Sequence, residues 1–423
     1  MSQDDKTAAP PHILVIGGGR DIPVRLRAAG ARTTFLCRLE VLPSIREVEQ
    51  ATGAHGLART SPVEHWTELA LLLHARDAFT AVASFSEKDQ DKAAHVAEAL
   101  GLPWHSPETV RFVHDKLAMR ERLRQTGVDP THNTLANSVA DVITFGNEHG
   151  WPVVVKPTQG TGSSGVTVVK GSAQAETAWA WAKDASWAEN PQILVEEYLP
   201  GREVSVETVS EDGKHVPLAI VAKHAMPTHC VEVGHVVPAE LSAESEARIH
   251  AFVRDLLMSL GVRHGVTHTE LKLDSTAVRA VETHLRPAGD DIPSLVRDAL
   301  GIDPINLLVE QTLGRPVLNG LQVVDTARGV GAGAAAVWYS LPASPGLVVD
   351  VKGLENARSV PNVVTVTPEI APGDMVTEVR DSFSRTASVR AAAPTAARAL
   401  AAAQHAASLI ETVVEPVPEK TRD

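Results

Sequence analysis

Apolar and polar residues alternate along the chain in a way that predicts successive α/β pieces. In the first piece, residues 1–115, the apolar runs "HILVI", "TTFLCR" and "FTAVASF" are separated by helix-like stretches. Strands that alternate with helices in this way predict a parallel sheet of the Rossmann-like kind. The dinucleotide pattern G-x-G-x-x-G is not completed from Gly17, so the glycines after the first strand indicate a tight turn rather than a cofactor site.

The rest of the chain is predicted to form three further pieces. Residues 116–199 are predicted as an α+β piece with a glycine-rich loop, after a charged helix "VRFVHDKLAMRERLRQTGVDP" that Gly127 and Pro130 end. Residues 200–318 hold alternating strands and an amphipathic helix in "SAESEARIHAFVRDLLMSLG". Residues 319–423 are predicted as a small C-terminal α+β domain with an Ala-rich helix, Thr395–Val414, and a loose tail.

Composition and charge exclude several classes of function. The 423 residues are 43% hydrophobic and carry a net charge of −13, so neither nucleic acid nor an anionic membrane is an expected partner. The chain has no secretory signal and no apolar window of about eighteen residues. Its two cysteines, Cys37 and Cys230, are far apart, as expected in a reducing cytoplasm. We expect a cytoplasmic protein that acts on small molecules, with a homodimer left open.

A glycine-rich loop between two β-branched runs is the first candidate for chemistry. In "WPVVVKPTQGTGSSGVTVVK", Lys156 closes the first run, and the loop over 160–165 leads into a strand rather than a helix. The loop is therefore not a Walker motif. Free backbone N–H groups and small hydroxyls still suit phosphates, and Lys156 could add a positive charge. On the loop alone, phosphate binding and a flexible hairpin connection are equally supported.

Two acidic residues on neighbouring predicted strands favour the phosphate alternative. Glu270 and Glu282 each lie in mid-strand, and His284 lies two positions after Glu282, on the same face. Either acid alone would be explained by a salt bridge. Together they could bind a divalent metal, because buried carboxylates require a compensating cation. His268, two residues before Glu270, is predicted to face the same cleft.

The ordered set of these motifs resembles the ATP-grasp superfamily. It comprises Lys116 in "HDK", "VVKP", the glycine loop, "VEEYLPGRE" and "VETHLRP". Within the superfamily it is most similar to the carboxylate–amine ligases that join amino acids, the L-amino acid (dipeptide) ligases, which share "CVEVGHVVPAELS" and C-terminal signals like "IAPGDMV". The resemblance implies an ATP-grasp fold in which residues 116–199 act as the lid and residues 200–318 as the central subdomain.

The resemblance also implies a role for each site residue. The phosphates of ATP would contact Lys116, Lys156, Gly160, Gly162, Ser163, Ser164 and Gly165. The adenine and ribose would be held by Glu196, Glu197, Tyr198, Leu199 and Glu203. Mg²⁺ would be bound by Glu270 and Glu282, with His284 as a third candidate ligand. The substrates and the acyl phosphate formed from the carboxylate would contact Glu232, His235, Arg286 and Gly289.

His284 departs from the superfamily pattern, which has Asn two residues after the second metal acid. Imidazole nitrogen is a ligand that Mg²⁺ accepts reluctantly, so the sequence allows Mn²⁺ as an alternative or a different task for His284.

Two other functions stay open at this point. One is an ATP-grasp ligase for a non-amino-acid carboxylate, as in purine biosynthesis or carboxylases, and the other is a non-catalytic nucleotide-binding module. A Cys–His nucleophile at His229–Cys230 is disfavoured, because sequence neighbours seldom reach the required geometry.

Overall fold

The computed structural model describes residues 9–160, 162–185, 192–226, 231–319, 321 and 331–416. Both His229 and Cys230 lie outside these residues. The described elements assemble into four sheets with helices packed on their faces. No helix in the described ranges is long and apolar enough to cross a membrane.

The N-terminal sheet is parallel, with strand order β3-β2-β1-β4, as the sequence predicts. Its strands are β1 (His12–Ile16), β2 (Arg32–Arg38), β3 (Gly53–Leu57) and β4 (Ala81–Ala83), and its helices are α1 (Ile22–Ala28), α2 (Val63–Arg76) and α3 (Gln90–Leu100). A short 3-10 helix, Glu87–Asp89, follows β4. Strand β3, "GAHGL", is not predicted by the sequence pattern, because two glycines and a histidine interrupt any apolar run.

The predicted single helix over 110–130 is wrong: two helices occupy this region. They are α4 (Pro107–His114) and α5 (Lys116–Gln125). Asp115 stands between them in extended conformation, and its carboxylate accepts hydrogen bonds from the backbone N–H groups of Leu117 and Ala118. This N-cap starts a new helix at Lys116 and fixes the direction of that lysine.

The glycine-rich loop belongs to an antiparallel sheet with strand order β5-β8-β6-β7. The strands are β5 (Asn133–Ala136), β6 (Val153–Pro157), β7 (Thr167–Val169) and β8 (Ile193–Glu197), and the helices beside them are α6 (Val139–His149) and α7 (Ala175–Asp184). The loop connects β6 to β7, which pair as a hairpin. Ser138 begins α6 with a capping box formed with Asp141.

A single eight-stranded antiparallel sheet, in the order β13-β12-β9-β10-β11-β14-β18-β16, joins the central and C-terminal parts of the chain. Its strands are β9 (Arg202–Glu211), β10 (Lys214–Ala225), β11 (Glu232–Val237), β12 (Gly265–Leu273), β13 (Val278–His284), β14 (Ala334–Ser340), β16 (Val363–Pro368) and β18 (Ala387–Ala393). Helix α8 (Ala243–Ser259) buries Ile249, Val253 and Leu256 in the core cluster that contains Val204 and Val206 of β9. The helical spacing of those apolar residues predicts this packing.

The C-terminal part adds a three-stranded sheet with the order β17-β15-β19. The elements not yet named are α9 (Ile292–Leu300), α10 (Pro304–Thr312), β15 (Gly346–Lys352), α11 (Leu354–Arg358), β17 (Met375–Val376), α12 (Ala396–Ser408) and β19 (Glu411–Glu415). The predicted helix Thr395–Val414 is too long. Thr395 caps α12, but the helix ends at Ser408, and β-branched residues at 412–414 form β19 instead.

Candidate active site

A cleft of about 1510 Å³ lies between the sheet that carries the glycine loop and the eight-stranded sheet. It collects most of the residues predicted from the sequence. Its lining includes Lys116, Lys156, Gly160, Ser163, Ser164, Glu196, Glu197, Tyr198, Leu199, Glu203, Glu232, Glu270 and Glu282. The C-terminal part closes one side with residues 342–345 and 377–380. Motifs that are up to 260 residues apart in sequence therefore share one space.

The two candidate metal acids face each other across neighbouring strands. Glu270 on β12 is paired in register with Glu282 on β13, and a β-bulge follows Glu270. Each acid contacts one lysine: Glu270 Oε2 lies 2.8 Å from the buried Lys223 Nζ, and Glu282 Oε2 lies 2.9 Å from Lys116 Nζ. Burial raises the pKa of both carboxyls, but these cations outweigh it and hold each pKa below its usual range.

An imidazole contacts the second oxygen of each acid. His268 Nε2 lies 3.1 Å from Glu270 Oε1, and His284 Nε2 lies 3.2 Å from Glu282 Oε1. Burial lowers the pKa of His268, but the nearby carboxylates of Glu207 and Glu270 raise it to about 10. The pKa of His284 is also raised, because Glu87 and Glu282 outweigh burial. Both imidazoles thus contact the acids, but neither is among the residues that line the cleft, which His268 was predicted to face.

Three cations, Lys116, Lys156 and Arg120, lie at the end of the cleft beside the glycine loop. Lys156 and Arg120 both form buried ion pairs with Glu196, the latter with 3.0 Å between Arg120 Nε and Glu196 Oε2. Burial raises the pKa of Glu196, yet the two cations lower it to about 2. Burial also lowers the pKa of Lys156, and Arg120 and Lys116 add to that shift against the pull of Glu196. Arg120 also lies 3.8 Å from Asp129, and Lys116 is paired with Glu282, so each cation has a carboxylate partner while Lys156 and Lys116 still line the cleft, where they could meet an anion.

The carboxylate of Glu196 therefore points to Lys156 and Arg120, whereas the resemblance assigns this residue to the adenine. Arg120 also donates to the carbonyl of Ala280 at 2.6 Å, which ties α5 to β13. In this geometry Glu196 orients Lys156. The other cleft-facing groups that the resemblance assigns to the adenine are those of residues 197–199.

The glycine loop has the backbone freedom that its composition predicts. Gly162, Ser163 and Gly165 all have positive φ, at 64°, 60° and 77°. The ring of Phe383 lies where a side chain on Gly162 would be, and the Gly162 carbonyl accepts a hydrogen bond of 3.2 Å from the N–H of Ser382. The loop is thus held against the C-terminal part of the chain.

Glu203, the candidate ribose ligand, is paired with two lysines. Its oxygens lie 3.1 Å from Lys223 Nζ and 2.7 Å from Lys272 Nζ. Lys223 also contacts Glu232, so its ammonium joins three acids that the resemblance assigns to ribose, metal and amine. Burial lowers the pKa of Lys223, but Glu232, Glu270 and Glu203 raise it well above its usual value.

The candidate amine site is built around His235, whose side chain is fully buried. His235 Nε2 lies 3.4 Å from Glu232 Oε2 and 3.4 Å from Asp290 Oδ2. Arg385, from the segment before β18, pairs with Asp290 at 2.8 Å and donates to the backbone carbonyl of Glu232 at 3.0 Å. Its guanidinium stacks on the ring of Tyr339 at 3.9 Å. This end of the cleft is fixed by charges from two parts of the chain.

Arg286 and Gly289 follow β13 on the far side of the acids. The guanidinium of Arg286 donates to Glu87 Oε2 at 2.8 and 3.0 Å, and Glu87 Oε1 lies 3.1 Å from His284 Nδ1. Burial raises the pKa of Glu87, but the charges of His284 and Arg286 outweigh it and lower the pKa well below its usual range. Gly289 contacts none of these side chains; its carbonyl accepts from the N–H of Ile292 at the start of α9.

Similarity to known proteins extends over most of this architecture. Residues 149–294 match the ATP-grasp domain family, and residues 338–415 match the L-amino acid ligase C-terminal domain 2. The fold matches the crystal structure of an L-amino acid ligase from Bacillus licheniformis with a TM-score of 0.79, over 97% of this chain and 100% of that one, at 20% identity. The chain contains an ATP-grasp domain and an L-amino acid ligase C-terminal domain 2.

Two curated relatives of this chain are named for a ligation or synthesis. The alanine–anticapsin ligase of Bacillus subtilis (strain 168) is 26% identical over 239 residues, which are 51% of this chain and 50% of the relative. The dapdiamide A synthase of Enterobacter agglomerans is 26% identical over 284 residues, which are 64% of each chain. The chain thus aligns with about half to two thirds of the length of these relatives.

Several charged residues that surround the cleft escape the sequence analysis. Glu87 follows the short strand β4, and the carboxyl end of a parallel strand is a recurrent place for functional groups, so its position carries a usable signal. Lys223 interrupts the apolar run "PLAIVA", which marks it as a buried charge in need of partners. Arg120, Asp290 and Arg385 carry no such signal, since nothing local shows which distant residue they meet.

Proposed function

We propose that the protein joins the carboxylate of an amino acid to the amine of a second amino acid or small amine, at the expense of ATP. The carboxylate is activated by transfer of the γ-phosphoryl group, the amine displaces phosphate, and the products are an amide, ADP and phosphate. One observation carries the proposal. The paired acids Glu270 and Glu282 contact Lys116 at the glycine-loop end and Lys223 at the other, and Lys223 in turn contacts Glu232 of the Glu232–His235–Asp290 cluster, which supports a reaction that uses both ends of the cleft.

The nucleotide is proposed to bind at the end of the cleft formed by β6, β8 and the glycine loop. Lys116 and Lys156 supply positive charge for the phosphates, and Gly160, Ser163 and Ser164, which line the cleft, offer backbone N–H groups to them. Glu203 would accept hydrogen bonds from the ribose hydroxyls after Lys272 moves away from the Glu203 oxygen that it contacts. The backbone of 197–199 is left for the adenine.

The acids of the cleft fit a divalent cation. Oxygens of Glu270 and Glu282 lie with His284 Nε2 in a set whose members are all within 4.8 Å of one another, and both carboxyls are held in the ionised form. Carboxylate oxygens are the ligands that Mg²⁺ prefers, and we propose Mg²⁺, with Mn²⁺ as an alternative, as the cofactor. When bound, such an ion supplies charge neutralisation for phosphoryl transfer.

The residues of the chain are proposed to act in a simple order. The glycine loop, held by the segment 382–383, excludes water so that the acyl phosphate reacts with amine rather than hydrolysing. Arg286 stabilises negative charge on the acyl phosphate and on the oxyanion formed by amine attack, a donor worth on the order of 3 kcal/mol in the barrier. Glu232 and His235 orient the amine and accept its proton.

The proposal also covers domain boundaries, location and oligomeric state. The boundaries 1–115, 116–199, 200–318 and 319–423 remain a proposal for the domains. The third and fourth share the eight-stranded sheet, so limited proteolysis should cut less readily between them than between the first two. A cytoplasmic location fits the use of ATP, and a homodimer is tested by light scattering after size-exclusion chromatography.

The deciding experiment measures phosphate release from ATP with Mg²⁺ over a matrix of paired amino acids and small carboxylates, with product masses read from active wells. We expect ADP together with a product whose mass is the sum of two amino acids minus water. A product from a non-amino-acid carboxylate would establish the purine-type or carboxylase-type alternative instead. ATP binding without ADP in any well, with Glu270→Gln binding ATP equally well, would favour a non-catalytic module.

A further inference from the structure

The two metal acids are each held by the same arrangement of neighbours. Each has one oxygen on a lysine and the other on an imidazole, and the other nitrogen of each imidazole contacts a further glutamate. His268 Nδ1 lies 2.6 Å from Glu207, and His284 Nδ1 lies 3.1 Å from Glu87. The two rings lie opposite each other in register, stacked with centroids 5.8 Å apart. Despite this similarity, the two histidines differ in what they can bind.

His284 is the histidine whose nitrogen joins the metal acids. Its Nε2 lies with oxygens of Glu270 and Glu282 in one set of possible ligand atoms, and among the described residues His268 is not part of that set. The separation of His284 Nε2 from Glu282 Oε1 is 3.2 Å. Two neighbouring ligands of an octahedral ion with bonds of about 2.1 Å are about 3 Å apart, so this spacing matches a shared ion.

Glu87 completes the environment of a metal-binding imidazole. Histidines that bind metals generally donate their other N–H to a carboxylate, which fixes the tautomer and increases the basicity of the ligating nitrogen. With Nδ1 in contact with Glu87, Nε2 is the nitrogen that faces Glu282, and a bound cation would take the place of a proton there. Arg286 holds Glu87 from the other side at 2.8 Å, so the carboxylate is itself fixed.

We propose that His284 Nε2 coordinates the catalytic cation together with Glu270 and Glu282, and that this mixed nitrogen and oxygen site prefers a first-row transition dication, Mn²⁺ or Co²⁺, over Mg²⁺. The inference rests on the proposed function. Imidazole nitrogen is a poor ligand for Mg²⁺ and a good one for transition ions, so replacement of an oxygen ligand by His284 changes relative affinities rather than total affinity alone. The carboxylate of Glu87 strengthens this metal preference, because it increases the basicity of the ligating nitrogen of His284.

The test uses the full chain with Mn²⁺ alone as the probe. Pulsed EPR of the bound ion should show coupling to a directly ligated ¹⁴N nucleus in the wild type and in His268→Asn, and lose it in His284→Asn. We also expect His284→Asn to bind Mn²⁺ about tenfold more weakly, with Mg²⁺ affinity changed less than about threefold. His268→Asn is the matched control, because it removes an equally buried imidazole from the facing strand.

Each result separates this inference from the proposed function. Absence of ¹⁴N coupling in the wild type overturns it even if His284→Asn does not fold, and so does coupling that persists in His284→Asn. Amide formation with Mg²⁺ in the absence of that coupling would leave the ligase function standing while the metal assignment falls. Nitrogen coupling without amide formation in any substrate pair would leave the metal assignment standing while the ligase function falls.

Discussion

The carboxylate of Glu87 accepts two hydrogen bonds from the guanidinium of Arg286, at 2.8 and 3.0 Å, across a sequence separation of 199 residues. Glu87 belongs to the short 3-10 helix after β4 in the N-terminal sheet, and Arg286 follows β13 of the eight-stranded sheet. The contact fixes the direction of the residue that is proposed to stabilise the acyl phosphate. The N-terminal sheet thus takes part in the site through one side chain.

Glu87→Gln should lower kcat more than it changes substrate binding. An amide keeps the shape but removes the charge, so Arg286 loses its ionic partner and samples other directions. We expect kcat to fall about tenfold and the KM for ATP to stay within about threefold, since misplacement of one donor acts on the barrier. Steady-state kinetics measure both values.

Glu355→Gln provides the control for that substitution. Glu355 forms an ion pair with Arg358 on the surface and has a side chain that is 85% exposed. Its kinetics should equal those of the wild type. Equal kcat for Glu87→Gln and Glu355→Gln would show that Arg286 needs no help from Glu87.

Lys223→Met should destabilise the protein and increase its affinity for metal. The substitution leaves Glu203, Glu232 and Glu270 facing one another without their shared cation, and removal of one partner from a buried ion cluster costs about 3 kcal/mol or more. A divalent cation can replace the lost charge. Urea unfolding with and without Mg²⁺ should therefore show a loss that Mg²⁺ partly restores.

Lys272→Met is the comparison for Lys223→Met. Lys272 pairs with Glu203 but is 21% exposed, against 1% for Lys223. Its loss should cost about 1 kcal/mol or less, because solvent screens the pair. If Mg²⁺ stabilises both variants and the wild type by the same amount, the carboxylates around Lys223 do not bind the ion.

The acid stability of the protein should depend on Glu196. The pKa of the Glu196 carboxyl is lowered from its ordinary value of 4.5 to about 2 in the folded protein. The unfolded chain therefore binds more protons than the folded chain between these two pH values. A carboxylate with a lowered pKa stabilises the fold above its unfolded pKa and loses that contribution as the pH falls towards 2. Glu196→Gln should be less stable at pH 7 and show a shallower loss between pH 5 and 3.

The measurement is the free energy of unfolding by urea at several pH values. Because two cations would face an amide, the deficit of Glu196→Gln at pH 7 should shrink as the pH falls. A constant difference between wild type and variant over this range would contradict the lowered pKa.

Gly162→Ala should impair the glycine loop, whereas Gly171→Ala should not. Gly162 has φ of 64°, and an added Cβ would lie 3.0 Å from the ring of Phe383. Positive φ disfavours alanine by roughly 1 kcal/mol, and the new methyl group pushes the loop from its contact with the C-terminal part. We expect a several-fold loss of kcat with more hydrolysis of ATP that is not coupled to amide formation.

Gly171 is a matched position in the same hairpin region. Its φ of 177° is extended, and no atom lies within 4 Å of an added Cβ. Coupling of ATP use to amide formation in Gly171→Ala should equal that of the wild type. If Gly162→Ala is equally coupled, contact with Phe383 is not needed to exclude water.

The sequence predicts those parts of the molecule that are encoded locally. The parallel N-terminal sheet and the amphipathic helix α8 follow from the spacing of apolar residues, because each buries one continuous face. The prediction of one helix over 110–130 fails at Asp115, where a cap outweighs the helical propensity of the flanking residues. The prediction also misses strand β19, because the pairing of this strand with β15 is not visible in the local sequence "ETVVE".

Within the site, residue types are predictable and partners are not. Glu270 and Glu282 are recognisable because an acid in mid-strand needs an explanation, and their in-register pairing agrees with that reading. That Lys223 joins three of the acids, or that Arg385 reaches the Glu232 end of the cleft, depends on tertiary contacts between residues up to 153 positions apart. Local pattern contains no information on such contacts, and the metal ligation and substrate roles stay predictions.

Strand β11 is flanked by β10 on one side and β14 on the other, and it carries both Glu232 and His235. A truncated protein that stopped before β14 would expose β11 as an unprotected edge, with backbone N–H and C=O groups free to pair with another molecule. Exchange of C-terminal modules between related enzymes would meet the same obstacle, because a donor module must match the register at Gly234–Trp338. Recombination at this junction can therefore succeed only where the transplanted strand continues the sheet.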